Sequence, residues 1–400
     1  MGNTPKSVNQ DSVASSPDKV AVFQAPPKCG RVPRASLFPL NTEETPLSQL
    51  KKGVKPNYPK VGYYGWKFQR YLPSPFEAEW FQELKDREAK EDIEHVIMTT
   101  AQKMKARFDK LMTFLDLYAT KLVFPERNVL LDQCNDVKTD VCGRLPEDLD
   151  ADVLSRFEYK YDCWDGPCDG QVATETLGKL HYGFVEPLVG HLRHPGFTIK
   201  KDDAFLGHRS FIIVDKWSAH NVGRPSAPCD GTRSVVLDAG ASTFLPVDWS
   251  SQSYLDSIAS CMCTPMTDYY GWEANTMKPD DFFNQIPGSM TPKYRFYNVP
   301  CSAADESWRN PLNIVLKELH EQDLVIFKLD IDAPIVEGPL AQKIIDTPEV
   351  AHLVDEFIFE HHVKMGRMQN WWGGSNIVPS ISIKLFQDMR HLGIRAHSWI

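Results

Sequence analysis

The sequence predicts an α/β fold over residues 205–400, a mostly parallel sheet with helices on both faces, preceded by a helical and mixed extension at 61–204 and a flexible leader at 1–60. Three observations carry this expectation. From about Ser210 onward, short apolar runs alternate with helix-compatible stretches, the sequence form of a sheet covered on both faces. Several of the runs end in a carboxylate or a glycine, as strands do where they deliver side chains to a sheet edge. A length of 400 residues with 42% hydrophobic residues leaves room for a large core.

Taken in order, residues 1–60 are rich in Pro, Ser, Thr, Asn and Lys, with apolar residues at neither the strand nor the helix period. From Pro75 the spacing of Phe76, Trp80, Phe81 and Leu84 predicts a helix. A second helical run goes from Ile93 through Met104, Phe108, Leu111 and Leu115 to about Val123, before Pro125. Segment 126–200 carries acidic stretches and cysteines and is not assigned to strands. Strands are expected at 210–214, 234–237, 294–299, 323–327 and 356–359, and helices at 310–320, 339–345 and 380–392. That leaves the segment 61–204 as an elaboration of the α/β unit.

Charge and composition exclude several function classes. A formal net charge of −9 argues against a protein that works by neutralising many nucleic-acid phosphates. No window reaches the roughly 18 consecutive apolar residues of a spanning helix, and Met1–Val20 has no apolar secretory core. Lys6 stands where an N-myristoylation signal has Ser or Thr. Eight of the 9 cysteines lie between Cys134 and Cys301, without the paired spacing of a zinc site, and no Asn-x-Ser/Thr acceptor occurs. The expectation is therefore a cytoplasmic chain with reduced cysteines, a secreted disulfide set being the alternative.

Four motifs can carry chemistry. Val235-Val-Leu-Asp238-Ala-Gly240-Ala241-Ser242 reads as a strand ending in an acid, followed by a glycine turn where backbone can approach a ligand. Ser242 occupies the second glycine place of a dinucleotide fingerprint, which favours a cofactor without phosphates. Tyr269-Tyr-Gly-Trp-Glu273 puts a carboxylate at the end of the next strand, where it can accept both hydrogen bonds of a vicinal diol. In Phe327-Lys328-Leu-Asp330-Ile-Asp332, alternation puts Lys328, Asp330 and Asp332 on one face; they could hold a divalent cation, orient a substrate hydroxyl, or take its proton. Phe359-Glu360-His361-His362 brings a carboxylate and two imidazoles to the same edge, as base or metal ligands.

The succession DAGAS, GWEA, YNVPCSA, FKLDID, FIFEHH and the closing HLGIRAHSW resembles the ordered segments of FkbM-type methyltransferases, which are Rossmann-like, S-adenosylmethionine-dependent O-methyltransferases. The resemblance covers about residues 230–400. It implies that Asp238, Gly240, Ala241 and Ser242 face the methionine part of the cofactor, that Glu273 holds its ribose, and that Cys301 and Ser302 lie beside the adenine. Lys328, Asp330 and Asp332 would line the acceptor pocket. Asp330 is the expected base or metal ligand, His361 the second base and Lys328 an orienting cation, with Asp330 and Asp332 sharing any divalent cation. Asp332, Ala333-Pro334 and Ile335 depart from the family pattern, all on the acceptor side. The acceptor would be a hydroxyl of a small molecule or glycan. Two other readings stand: a metal-dependent nucleotide-sugar glycosyltransferase using Asp330 and Asp332, and a non-catalytic scaffold on a degenerate cofactor fold.

Overall fold

The computed structural model describes residues 66–118, 151–161, 180–213, 233–244, 255, 266–320 and 323–399. The leader, all cysteines other than Cys301, and Trp164 and Trp217 lie outside these residues. Six parallel strands form the main sheet: β4 (Ser234–Ala239), β5 (Asp268–Trp272), β6 (Tyr294–Tyr297), β7 (Leu324–Leu329), β8 (Glu356–Phe359) and β9 (Arg395–Ser398). Their order is β6-β5-β4-β7-β8-β9, which is 3-2-1-4-5-6 counted from the first strand of the sheet. This is a Rossmann-like arrangement, and the direction of winding reverses between β4 and β7. Every residue of β4, β7, β8 and β9 is buried, which explains why they read as short apolar runs instead of alternating ones.

Around the sheet lie α5 (Pro279–Phe283), α6 (Pro311–Glu318), α7 (Pro334–Asp346), α8 (Pro348–Leu353), α9 (Gln369–Trp372) and α10 (Pro379–His391). Helix α6 starts where Asn310 accepts from Leu312 N–H at 3.0 Å with Pro311 in the first turn, a common helix start. Helix α7 begins at Pro334, five residues before the expected Pro339. Both prolines suit a first turn; the chain uses the earlier one and carries Pro339 in the helix interior.

Ahead of this unit, β1 (Trp66–Leu72), β2 (Ser155–Tyr161) and β3 (Leu180–Val185) form an antiparallel sheet in the order β1-β2-β3. Between and after them come α1 (Pro75–Arg87), α2 (Ile93–Lys103), α3 (Lys105–Tyr118) and the short α4 (Pro195–Ile199). Helix α2 buries Ile93, Val96, Ile97, Thr100 and Ala101, the stripe that its spacing predicts. Ser74 caps α1 by accepting from Glu77 N–H at 3.1 Å. One continuous apolar core runs from Phe76 and Trp80 through Val236 and Ile326 to Trp399, so the helices at 75–118 share it with the main sheet. Among the described residues no helix is long and apolar enough to cross a membrane.

Over the described residues 210–213 of the strand expected at 210–214, no strand forms. Residues 209–211 make a 3-10 turn, and Ile213 spends its backbone on side chains: its N–H donates to Glu186 Oε2 at 2.8 Å and its carbonyl accepts from Arg395 at 2.9 Å. Apolar composition alone could not separate this buried turn from a strand.

Candidate functional site

The strand register lines up one row of residues along the carboxyl edge of the sheet. Ala239 pairs with Trp272 and with Leu329, Leu329 with Phe359, and Phe359 with Ser398. The residues that follow, Glu273, Gly240, Asp330, Glu360 and Trp399, therefore stand side by side. Ladder bonds hold that row: Asp330 N–H donates to Ala239 O at 3.0 Å, Glu360 N–H to Leu329 O at 3.1 Å and Trp399 N–H to Phe359 O at 2.9 Å. Two residues earlier on the same face lie Asp238 and Lys328, themselves paired in register.

At the end of β4, Gly240 adopts φ +98°, and a Cβ there would lie 1.7 Å from the Asp330 carbonyl oxygen. Glycine is required by both conformation and space. The N–H groups of Gly240 and Ala241 both donate to Trp272 O at 2.9 Å, folding the turn over the end of β5. Gly271 is needed for a similar reason, since a Cβ on it would come within 2.7 Å of the Tyr294 hydroxyl and 2.9 Å of Ala241 Cβ. Ala241 is buried and Ser242 exposed. Glu273 is buried; its Oε1 accepts from Asn275 N–H at 2.6 Å, and Asn298 ties the turn by donating to Glu273 O and Asn275 O. Ser302 Oγ accepts from Ala304 N–H at 3.2 Å in the loop after β6. Beside it Cys301 is buried, and burial together with Asp238 and Glu273 pushes its thiol up to about 12, which keeps it protonated and unreactive. Trp272 is a core residue, stacked between Tyr270 and Tyr297.

Asp238 does not reach the surface. It is fully buried, accepting from Tyr269 OH at 2.6 Å and from Lys328 Nζ at 3.1 Å. Lys328 also meets Gly240 O at 3.2 Å and Asp330 Oδ2 at 3.2 Å. Burial works to lower the Lys328 pKa, but the facing carboxylates of Asp238 and Asp330 outweigh it and raise it. This ammonium is thus a fixed positive charge beneath the row, binding strand β4 to β7.

At the ends of β7 and β8, the acids Asp330 and Glu360 are each gripped by an indole. Trp399 Nε1 donates to Asp330 Oδ2 at 3.1 Å, and Trp372 Nε1 donates to Glu360 Oε1 at 2.8 Å. Arg193 adds its guanidinium to Glu360 Oε1 at 3.4 Å and lies over the Trp372 ring. Burial raises the Asp330 pKa, with the Glu360 charge adding to it against the pull of Lys328. The Glu360 pKa is lowered, burial being outweighed by His362, Arg193 and Trp372. Glu337, on α7, accepts from Ile331 N–H at 2.7 Å, and burial raises its pKa to about 7.

Consecutive residues leaving a strand point in opposite directions, and the two imidazoles after Glu360 divide accordingly. His361 turns away from the row: its Nδ1 meets Ser382 Oγ of α10 at 3.0 Å, its ring stacks on Phe359, and burial holds its pKa down to about 4. His362 turns toward the acids, with Nε2 3.4 Å from Glu360 Oε2 and 3.6 Å from Asp332 Oδ1. Asp332, at φ +53°, is 82% exposed, and it stands apart from Asp330, which is held by Lys328 and Trp399. Among the described residues, Asp332, Glu360 and His362 bring one ligand atom each within 4.8 Å of one another. Glu360 and His362 were legible as strand-end residues; Arg193, Glu337, Trp372 and Trp399 carried no local signal beyond the closing HSW. Comparisons with protein-family models, with curated proteins and with solved structures return no match for this chain.

Proposed function

We propose that the chain is an S-adenosylmethionine-dependent O-methyltransferase acting on a hydroxyl of a small molecule or glycan. The observation that carries this reading is the turn after β4. Its first two amides, Gly240 and Ala241, are committed to Trp272 O and so are not free to cradle a pyrophosphate. Next to it Glu273 keeps Oε2 for a sugar diol, while Oε1 is engaged by Asn275. A ribose-bearing cofactor without phosphates fits that donor set. Glu273 would take its ribose, Ser242 and the Gly240 turn its amino-acid part, and the Cys301–Ser302 loop its base.

When bound, such a cofactor supplies an electrophilic methyl group; the protein's tasks are to aim a hydroxyl at it and to remove the proton. Asp330 stands at the centre of the row with its carboxylate partly open to solvent, fixed by Lys328 and Trp399, and takes that proton at Oδ1, the oxygen those two leave free. Lys328 supports the ionised form and is not itself exposed to an acceptor. The second reading, a metal-dependent nucleotide-sugar glycosyltransferase, draws on the carboxylates of Asp332 and Glu360 beside His362, which could carry a cation between diphosphate oxygens.

Calorimetric titration of the full chain with S-adenosylmethionine and with its demethylated product tests the proposal. Binding in the micromolar range is expected, with Glu273→Ala weakening it about tenfold or more, in line with one lost pair of sugar hydrogen bonds. Binding of manganese-loaded nucleotide sugars alone would move the assignment to the glycosyltransferase.

A further inference from the structure

We propose that Asp332, Glu360 and His362 form a binding site for one divalent cation of the manganese type. The three ligand atoms, two carboxylate oxygens and an imidazole Nε2, lie within 4.8 Å of one another. His362 is buried, yet its Nε2 stands 3.4 Å from Glu360 and 3.6 Å from Asp332. Both separations are longer than the roughly 2.7–2.9 Å of a charge-assisted hydrogen bond. They are close to the about 3.0–3.5 Å between neighbouring ligands on an ion about 2.1 Å from each.

The surroundings orient the ligands as outer-shell partners do. Trp372 and Arg193 both engage Glu360 Oε1, leaving Oε2 toward His362 and Asp332. The Trp372 ring stacks on the His362 imidazole at 5.7 Å, and Ser375 Oγ holds the His362 backbone carbonyl. Asp332 is the open side of the group, 82% exposed, which gives an ion an entry path and leaves coordination positions for water or a hydroxyl. Mixed oxygen and imidazole donors suit manganese better than a soft, thiolate-preferring ion. In the reading above, the ion would lower the pKa of an acceptor hydroxyl, but its binding does not depend on that reading.

The test uses manganese(II) alone, with no cofactor, titrated into the full chain and followed by the loss of the free-ion electron paramagnetic resonance signal. One ion per chain in the micromolar range is expected. Asp332→Asn, whose new side chain is at ease at positive φ, and His362→Gln should each weaken binding about tenfold or more, with unchanged circular dichroism. The control Asp280→Asn, at an exposed position of α5, should bind as the wild type does. Absence of saturable binding up to millimolar manganese, or wild-type affinity in both site variants, overturns the proposal. Failure of S-adenosylmethionine to bind would leave it standing.

Discussion

Arg390 offers the most direct test of how the first half of the described chain is joined to the sheet. Its guanidinium is fully buried on α10 and donates to Tyr71 OH, Glu186 Oε1, Glu186 O and Ala396 O, each at 2.9 Å, with Glu77 Oε2 at 3.5 Å from the same side chain. Glu77 and Glu186 are themselves buried, Glu77 accepting from Tyr71, Ser155 and Gln387, and Glu186 facing His397 at 2.8 Å. Arg390→Met keeps most of the volume and removes the charge, so the loss is that of uncompensated acids, about 3–5 kcal/mol at pH 7. Burial raises the pKa of Glu186, and His397 with Arg390 more than offset it, leaving the pKa lowered. Without the arginine, folding holds Glu186 less firmly ionised, so the deficit shrinks as pH falls through the carboxylate range. Urea unfolding followed by tryptophan fluorescence and by far-ultraviolet circular dichroism reads both effects, and the two signals should shift together, because the contacts tie β1, α1 and β9 into one unit. Arg390→Lys should recover only part, lacking the planar fork. A loss under about 1 kcal/mol at pH 7, or a deficit that does not change with pH, would refute the reasoning.

Gly240→Ala meets both a positive φ and the Asp330 carbonyl, and should cost more than about 3 kcal/mol, whereas Gly288→Ala, with nothing within 4 Å of the added Cβ, should be near neutral in the same urea assay. Lys328→Met strands Asp238 and Asp330 beneath and within the row, and should cost about 3–5 kcal/mol; adding Asp238→Asn should restore part of the loss, and strict additivity of the two changes would count against the pairing. His194 accepts from Gly196 N–H through Nδ1, and burial, then His208 and Lys200, lower its pKa to about 4. Since the unfolded imidazole takes its proton near pH 6.5, stability should fall between about pH 6.5 and 4 by about 3 kcal/mol on this account; His194→Asn, which can still cap α4, should flatten that limb, and an unchanged slope would dismiss His194 as its source.

The sheet was legible because its strands are buried on both faces and announce themselves as apolar runs ending in Asp238, Asp330 and Glu360. What escaped was whatever owes its strand character to polar partners. Strand β9 reads Arg-Ala-His-Ser, and its burial depends on Arg395 and His397 meeting Glu356, the last at 2.7 Å from His397 Nε2. The antiparallel sheet escaped although part of it was readable: β2 alternates Phe157, Tyr159 and Tyr161 with Arg156, Glu158 and Lys160, whereas β1 loses its alternation at Gln69–Arg70, where the register shifts. Ile213 erred in the other direction, apolar and buried but with its backbone bonded to the side chains of Glu186 and Arg395.

The same contrast governs the site. Position along a strand can be counted, so Glu273, Gly240, Asp330 and Glu360 fall into one row once the parallel register is fixed. Which way each side chain then turns is decided by partners remote in the chain: Arg193 is 167 residues from Glu360, and Trp399 is 69 from Asp330. Those partners divide two pairs that adjacency had left together. Asp330 is drawn inward by Lys328 and Trp399 while Asp332 turns out at positive φ, and His361 packs on Ser382 while His362 faces the acids. The proposed metal ligands are therefore Asp332, Glu360 and His362, and the proposed base is Asp330. Base and cation ligands are then different residues, so Asp332→Asn should spare binding of S-adenosylmethionine while weakening manganese, and Glu273→Ala should do the reverse. Loss of both ligands in either single variant would mean that the two halves of the row do not act separately.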